Sequence, residues 1–223
     1  MIRQSSQGPK AGPRKPLVAI VDDDEAIRQS LGSLFRSMDL DVVMFSSPSE
    51  LLEQMPPLTA CLVLDVRLPG VSGLDFQDQL AKLGVQVPII FMTGHGDIPM
   101  TVRAMKAGAV DFLAKPFRDQ DMLDAVMAAI ERDARRRSES AAHEELRSNF
   151  GSLTPREREV IVHVTAGLMN KQIAHALGVS EITVKIHRGN VMRKMNARSL
   201  ADLVRMAEAL DLRPQNGAVQ TSV

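Results

Sequence analysis

The sequence predicts two domains of different class: a five-stranded parallel, doubly wound α/β domain followed by an all-α domain of four helices. Three observations predict this. Short β-branched apolar runs alternate with helix-period segments over residues 16–132. Beyond residue 150 those runs stop, and capped helical segments separated by glycines take over. Charge divides at the same place: residues 16–117 hold 7 Lys/Arg against 13 Asp/Glu, whereas residues 153–210 hold 9 against 5. The whole chain is neutral, with 27 of each sign, so the division is hidden in the total. The basic unit is the candidate for a polyanion.

Composition excludes several classes. With 223 residues, 44% of them hydrophobic and 24% charged, the chain can bury its own core. One cysteine, Cys61, excludes an intramolecular disulfide framework and a Cys-rich zinc site, and fits a reducing compartment. No run approaches the roughly 18 apolar residues of a membrane span. Residues 1–15 are polar, Pro/Gly-rich and basic, without the apolar stretch of a secretory signal. A cytoplasmic location with no membrane partner is expected. With no Trp and no Tyr, a stacking platform for single-stranded nucleic acid would rest on Phe or His.

The elements follow in order. The first strand runs from Leu17 to Val21, the second from Val42 to Phe45, and the third from Cys61 to Leu64. The fourth runs from Val87 to Met92 and the fifth from Val110 to Leu113. Ile27, Leu31, Leu34 and Phe35 line the first helix; Leu74, Leu80 and Leu83 mark the third. Val102 and Met105, with Ala104 and Ala107, mark the fourth; Met122, Leu123, Val126 and Ile130 mark the fifth. Strands this continuously apolar belong to a parallel sheet covered on both faces. Such sheets bind ligands outside the carboxyl ends of their strands.

Those ends carry the chemistry. The first strand ends in Asp22, Asp23 and Asp24, the third in Asp65, the fourth in Thr93, and Lys115-Pro116 follows the fifth. Carboxylates converging there would repel one another unless a cation sat among them, and a few hard oxygen donors beside solvent suit Mg2+. Thr93 can donate a hydrogen bond to a phosphoryl oxygen, and Lys115 can pair with it as a point charge. Asp65 is then the natural nucleophile, since a carboxylate can accept a phosphoryl group. A metal and Lys115 would neutralise the charge that develops in transfer. Taken singly, Asp24 reads as a helix cap rather than a ligand, and Phe112 as either core or switch.

The ordered set VDDD, LDVRLPGVSG, MTGHGD and AKPF resembles the receiver domain of two-component response regulators, a flavodoxin-like fold, over roughly residues 16–132. The resemblance implies that Asp22 and Asp23 are an acidic pair with Asp23 a direct metal ligand, that Asp65 is the phosphoacceptor, and that the backbone carbonyl of Arg67 completes the Mg2+ shell. It implies Thr93 as switch hydroxyl, Lys115 as phosphate-binding lysine, Phe112 as aromatic switch, and a cis peptide before Pro116. Arg67 and His95, each two residues past a reactive position, are expected to tune the lifetime of the phosphoryl group. Met100, Val102, Arg103, Lys106 and Phe117 are expected near a dimer face built from the fourth helix, fifth strand and fifth helix.

Residues 133–149 are charged and apolar-poor, read as a partly helical linker. The second unit, 150–210, opens with Thr154-Pro155-Arg156-Glu157, a capping box with Pro at the first helical position. Val160, Ile161 and Val164 form its stripe, and Gly167 ends it. Asn170 is expected to cap a second helix carrying Ile173, Ala174 and Leu177. Gly178 makes a turn, Ser180 caps a third helix to about Met195, and Ser199 opens a fourth. Helix, short Gly-containing turn, helix is the helix-turn-helix signature. Val184, Val191 and Met195 should face inward, with His187 on the inner edge as a packing residue. Lys185, Ile186 and Gly189, with Ile182 and Arg193 near them, form a face that can enter a major groove. There Lys185 donates to base edges or phosphates, Ile186 can touch a thymine methyl, and Gly189 permits close backbone approach. Thr183 belongs to the same set. Arg188, Lys194 and Arg198 are expected to bind phosphates.

LTPREREV, GLMNKQIA, LGVSEITVKIHRGNVMRKM and SLADLVRM resemble the LuxR-type DNA-binding domain, and the whole chain resembles a FixJ/NarL-type response regulator. The resemblance implies a transcription factor rather than an enzyme. A sensor histidine kinase would phosphorylate Asp65, and the phosphorylated chain would form a homodimer reading two half-sites of double-stranded DNA. The receiver itself would catalyse only its own phosphorylation and dephosphorylation. Two alternatives stay open at this point: a phosphorylation-independent DNA-binding regulator, and an aspartyl-phosphate enzyme. Arg67 argues against the enzyme, because such phosphatases commonly carry a carboxylate two residues after the nucleophile. Residues 1–15 and 211–223 read as disordered tails.

Overall fold

A computed structural model describes residues 15–94 and 98–212. The readings of the terminal tails at 1–14 and 213–223, and of His95, lie outside the described residues. The chain divides into two compact units, Met1–Arg136 and Arg137–Val223.

The first unit alternates β1 (Leu17–Val21), α1 (Glu25–Ser37), β2 (Asp41–Phe45), α2 (Pro48–Gln54), β3 (Thr59–Asp65), α3 (Gly73–Lys82), β4 (Ile89–Thr93), α4 (Ile98–Lys106), β5 (Asp111–Ala114) and the N-terminal part of α5 (Asp119–Gly151). The sheet is five-stranded in the order β2-β1-β3-β4-β5, and every pairing is parallel. Strand alternation sends side chains to two separate cores. Val18, Ile20, Cys61, Val63, Ile90 and Met92 pack beneath α1 and α5. Ala19, Val21, Leu62, Leu64 and Phe91 pack beneath α2, α3 and α4. The central strand β3 is buried along its whole length, which is why its sequence is an unbroken apolar run up to Asp65. The strands thus act as rigid pegs whose carboxyl ends lie side by side.

Several expected details shift. Val87 and Val110 precede their strands, which begin at Ile89 and Asp111. Leu83 caps the C-terminus of α3 and is 60% exposed, because the helix ends before the inward stripe reaches it. Val102 and Met105 do not mark the inner face of α4. They are 44% and 43% exposed, and the fully buried Ala104 with the partly buried Met100 faces the core instead, four residues apart.

The linker expected at residues 133–149 is helical along its whole length, because α5 runs unbroken through them. Asp133, read as part of a solvated charge run, is 2% exposed. It continues the inward stripe of Met122, Val126 and Ala129, and its carboxylate accepts from the Arg136 guanidinium at 2.7 Å. Burial pushes the Cys61 thiol up, and the Asp133 charge adds to that.

The second unit holds α6 (Pro155–Thr165), α7 (Asn170–Leu177), α8 (Glu181–Lys194) and α9 (Leu200–Ala209). Its core gathers Val160, Ile161, Val164, Ile173, Val184, Val191, Met195 and Leu203, with Leu146 and Phe150 from the end of α5 packed against it. The α6 capping box is present: Glu157 N–H donates to Thr154 Oγ1, and Thr154 N–H donates to the Glu157 carboxylate. Asn170 is not the cap of α7. Met169 takes that position, and its N–H donates to Gln172 Oε1 at 2.8 Å. Gly178 is left-handed, with φ 65°, at the turn into α8, and Ser180 caps α8 by accepting from Thr183 N–H.

Candidate functional site

The acidic site forms where β1, β3, β4 and β5 end. Asp22 is fully buried, and Asp65 nearly so, while Asp23 beside them is exposed. One carboxylate oxygen from each of these three lies within 4.8 Å of the others. Lys115 Nζ donates to Asp22 Oδ2 at 2.7 Å and to Asp65 Oδ2 at 2.9 Å. Backbone groups orient both carboxylates: Asp24 N–H donates to Asp22 Oδ1 at 2.9 Å, and Arg67 N–H donates to Asp65 Oδ1 at 3.1 Å. Arg28 Nη1 on α1 donates to the Asp22 carbonyl at 2.7 Å. Asp24 faces away as the α1 cap, accepting from Ala26 and Ile27 N–H.

Electrostatics match this arrangement. Burial pushes the Asp22 carboxyl up, against the pull of Lys115 and the Asp24 amide, and the nearby Asp65 charge adds to the rise. Burial also works against the charged form of Lys115, but its two carboxylate partners outweigh it and hold the amine above its ordinary value. The donor set is all oxygen, with Asp23 open to solvent, and this fits a hard divalent cation.

Thr93 is the fully buried last residue of β4 and pairs in register with Ala114. Its carbonyl accepts from Lys115 N–H at 2.7 Å, which ties the hydroxyl-bearing residue to the lysine through the backbone. The Lys115-Pro116 bond is cis. Phe112 is half-buried and tilted against Phe91, with ring centroids 6.2 Å apart. An open cleft of about 490 Å³ adjoins the acids, lined by Asp23, Arg67, Pro69 and Met100 among others. Met100 therefore borders the acidic site. Phe117 packs in the α1/α5 layer and lines a second cleft with Lys115 and Pro116. Val102 and Lys106 are exposed on α4, and Arg103 bonds to Asp75 at 2.8 Å and Asp78 at 3.2 Å on α3.

In the second unit, α8 buries Val184, Val191 and Met195 and turns Ile182, Lys185, Ile186, Gly189 and Arg193 to solvent. The side chain of Thr183 stays at the N-terminal cap, 2.9 Å from Ser180 Oγ. Two of the expected phosphate-binding cations are engaged within the domain. Arg188 donates to Asn170 Oδ1 at 3.2 Å, and Lys194 donates to Glu157 at 2.6 Å and to the Ser152 carbonyl at 3.2 Å. Burial works to raise the Glu157 carboxyl, but Lys194 and the Thr154 amide hold it below its ordinary value.

Comparison with known proteins agrees with both halves. Residues 18–127 match the response regulator receiver domain, and residues 151–207 match the bacterial regulatory proteins of the luxR family. Nodulation protein W of Bradyrhizobium diazoefficiens is 60% identical over 210 residues, covering 94% of this chain and 92% of that protein. Response regulator protein TodT of Pseudomonas putida is 50% identical over 198 residues, covering 88% of this chain and 87% of TodT. The chain belongs to the response regulators that carry a LuxR-type DNA-binding domain. Among solved structures, response regulator StyR superposes with a TM-score of 0.81 at 49% identity, covering 87% of this chain and 99% of StyR. Full-length FixJ from B. japonicum gives 0.55 at 38% identity, covering 91% of this chain and all of FixJ. This response regulator accordingly belongs to a family of transcriptional regulators. Its receiver domain implies a histidine kinase partner, and its LuxR-type domain implies DNA. No helix among the described residues is long and apolar enough to cross a membrane.

Sequence reasoning missed one residue that shapes the acidic site. Gly73, the first residue of α3, donates its N–H to the Val66 carbonyl at 2.9 Å. A Cβ there would stand 2.5 Å from the Asp65 carbonyl oxygen and 3.0 Å from the Val66 Cα. The helix can approach the Asp65 backbone this closely only through a glycine. A signal was present: glycine directly after a Ser cap is a poor helix former, and its presence there needs a packing reason.

Proposed function

We propose that this response regulator accepts a phosphoryl group on Asp65 from its partner histidine kinase, in the cytoplasm, and thereby switches dimerisation and sequence-specific DNA binding. The observation that carries the proposal is the meeting of Asp22, Asp23, Asp65 and Lys115 at adjacent strand ends. An Asp65 carboxylate oxygen forms the new P–O bond as the P–N bond to the donor imidazole breaks, and the imidazole leaves with a proton. Lys115 already bridges Asp22 and Asp65, so its amine can follow the incoming phosphoryl oxygens with a small movement. Thr93 offers a hydroxyl from the neighbouring strand. Asp22, Asp23 and Asp65, with the Arg67 carbonyl, would hold Mg2+. When bound, the ion neutralises phosphoryl charge during transfer. The same groups would serve self-catalysed dephosphorylation.

Movement of Thr93 toward the phosphate would free space for Phe112 to turn inward from its half-buried position against Phe91. The α4 surface bearing Val102, Arg103 and Lys106 is the candidate dimer face. Two DNA-binding domains brought together would read two half-sites, and effective concentration would let modest single-domain affinity suffice. On α8, Lys185, Ile186, Gly189, Ile182 and Arg193 are the proposed DNA-facing set, since Arg188 and Lys194 already have partners. The test is intact mass after incubation with acetyl phosphate and Mg2+. One phosphoryl adduct is expected, absent from Asp65→Asn. An unmodified folded parent with undiminished DNA binding would favour the phosphorylation-independent reading instead.

A further inference from the structure

The outward face of α8 has an unusual chemistry for a helix that meets water. Ile182 is 74% exposed and Ile186 59% exposed, four residues apart on one stripe. Gly189 follows on the same stripe, in the middle of the helix. An exposed mid-helix glycine is unfavourable, and burial of a neighbour could justify it. Here nothing lies within 4 Å of the position a Cβ would occupy, so the domain's own packing does not require glycine. Two bare isoleucines and a missing side chain thus form a low, apolar strip that nothing within the described domain covers. Lys185 and Arg193 flank it, both exposed, and the only acid on α8 is Glu181 at its first residue.

We infer that Ile182 and Ile186 are specificity-determining residues that read thymine methyl groups, with Gly189 letting the helix backbone close on the groove. This rests on the reading of α8 as the DNA-facing helix and goes further, by naming the base feature that the face recognises. The flanking cations fit a phosphate-lined groove better than an apolar protein surface. In the major groove, thymine alone presents a methyl, and an aliphatic side chain is its natural partner. Spacing of one helical turn lets the two isoleucines touch methyls on neighbouring base pairs. Each half-site is therefore expected to carry two thymines at adjacent or next-adjacent pairs, on either strand, beside the base contacted by Lys185.

The experiment uses the full-length, acetyl-phosphate-treated chain. Its preferred duplex is selected from a random-sequence library and then resynthesised with uracil for thymine, one position at a time, which removes only the methyl. Two positions per half-site are expected to lose affinity by about fourfold each on uracil substitution, the effect of one buried methyl. Ile182→Ala and Ile186→Ala should each erase the thymine–uracil difference at one position and keep it at the other. Both side chains are exposed and alanine favours helix, so the variants fold. Equal parental affinity for thymine and uracil duplexes, with the selected site still preferred over scrambled DNA, would overturn the methyl reading and leave the DNA-facing assignment intact. Failure to select any sequence would overturn both. Variants that change the oligomeric state while keeping thymine–uracil discrimination would assign the strip to a protein contact and overturn the inference.

Discussion

In the receiver unit the reactive groups stand at positions 22, 65, 93 and 115 and meet only because four strands end side by side. In the DNA-binding unit the exposed groups at 182, 185, 186, 189 and 193 share one helix and need no folding partner to be neighbours. The first site is buried and charged, so every member already has a partner: Lys115 holds Asp22 and Asp65, and backbone amides hold the remaining oxygens. The second is exposed and partly apolar, and its strip is uncovered by its own domain. A buried polar site must satisfy itself before a ligand arrives. An exposed face can leave its needs to the ligand. Substitutions in the first region should therefore disturb fold and chemistry together, and those in the second should separate them.

The largest effect is expected at Gly73. Gly73→Ala forces a methyl against the Asp65 carbonyl, so α3 or the acceptor must shift. Receiver stability should fall by about 1–3 kcal/mol, the usual range for overpacking. A displacement of the acceptor by about 1 Å would slow phosphorylation about 100-fold. Thermal melts and the rate of adduct formation by mass check the two effects. Normal phosphorylation in Gly73→Ala would break the contrast, since the acidic site would then tolerate backbone movement.

Next come two of the buried carboxylates, Glu157 and Asp22, which shift in opposite senses. Glu157 is held below its ordinary value, so its contribution is present above about pH 4.3 and is lost as pH falls through its lowered value. Glu157→Gln should cost the DNA-binding unit about 1–3 kcal/mol at neutral pH, because Lys194 loses its charged partner, and should flatten the acid limb of its unfolding curve. Asp22 is raised, so its contribution is present below about pH 3.9 and is lost as pH rises through its raised value. Asp22→Asn should therefore stabilise the receiver at neutral pH without Mg2+, on the order of 1 kcal/mol, while weakening its stabilisation by Mg2+. Unfolding followed against pH for each variant tests both signs.

The smallest effect sharpens the comparison most. Gly189→Ala meets no atom within 4 Å and should stabilise the DNA-binding unit by about 1 kcal/mol. Affinity for the selected duplex should fall at the same time. A gain in melting temperature with unchanged DNA affinity would remove the need for close backbone approach.

Much of this protein was readable before folding, and the reason is periodicity. The five apolar runs stood out because a parallel strand is buried on both faces, and the residue at each carboxyl end was then identified as a candidate. The α6 capping box and the Ser180 cap were legible because they are local hydrogen bonds between residues three apart. The face of α8 was legible because one helix determines it. The α7 cap was off by one because a backbone amide bound to Gln172, not an Asn side chain, closes that end.

What sequence could not determine involves groups far apart along the chain. Lys194, Lys115 and Asp133 are ordinary charged residues until packing sets each against its partner. Lys194 then holds Glu157; Lys115 spans two carboxylates at the ends of β1 and β3; Asp133 turns inward on a helix that continues past the expected boundary. Val102 and Met105 look like a core stripe, yet the small Ala104 sits against the sheet and leaves them outside. Local pattern determined the elements, their order and the residues at the strand ends. Burial and charge pairing are properties of the assembled core, so only the tertiary structure decided which charges are engaged, which apolar side chains are left bare, and where glycine is indispensable.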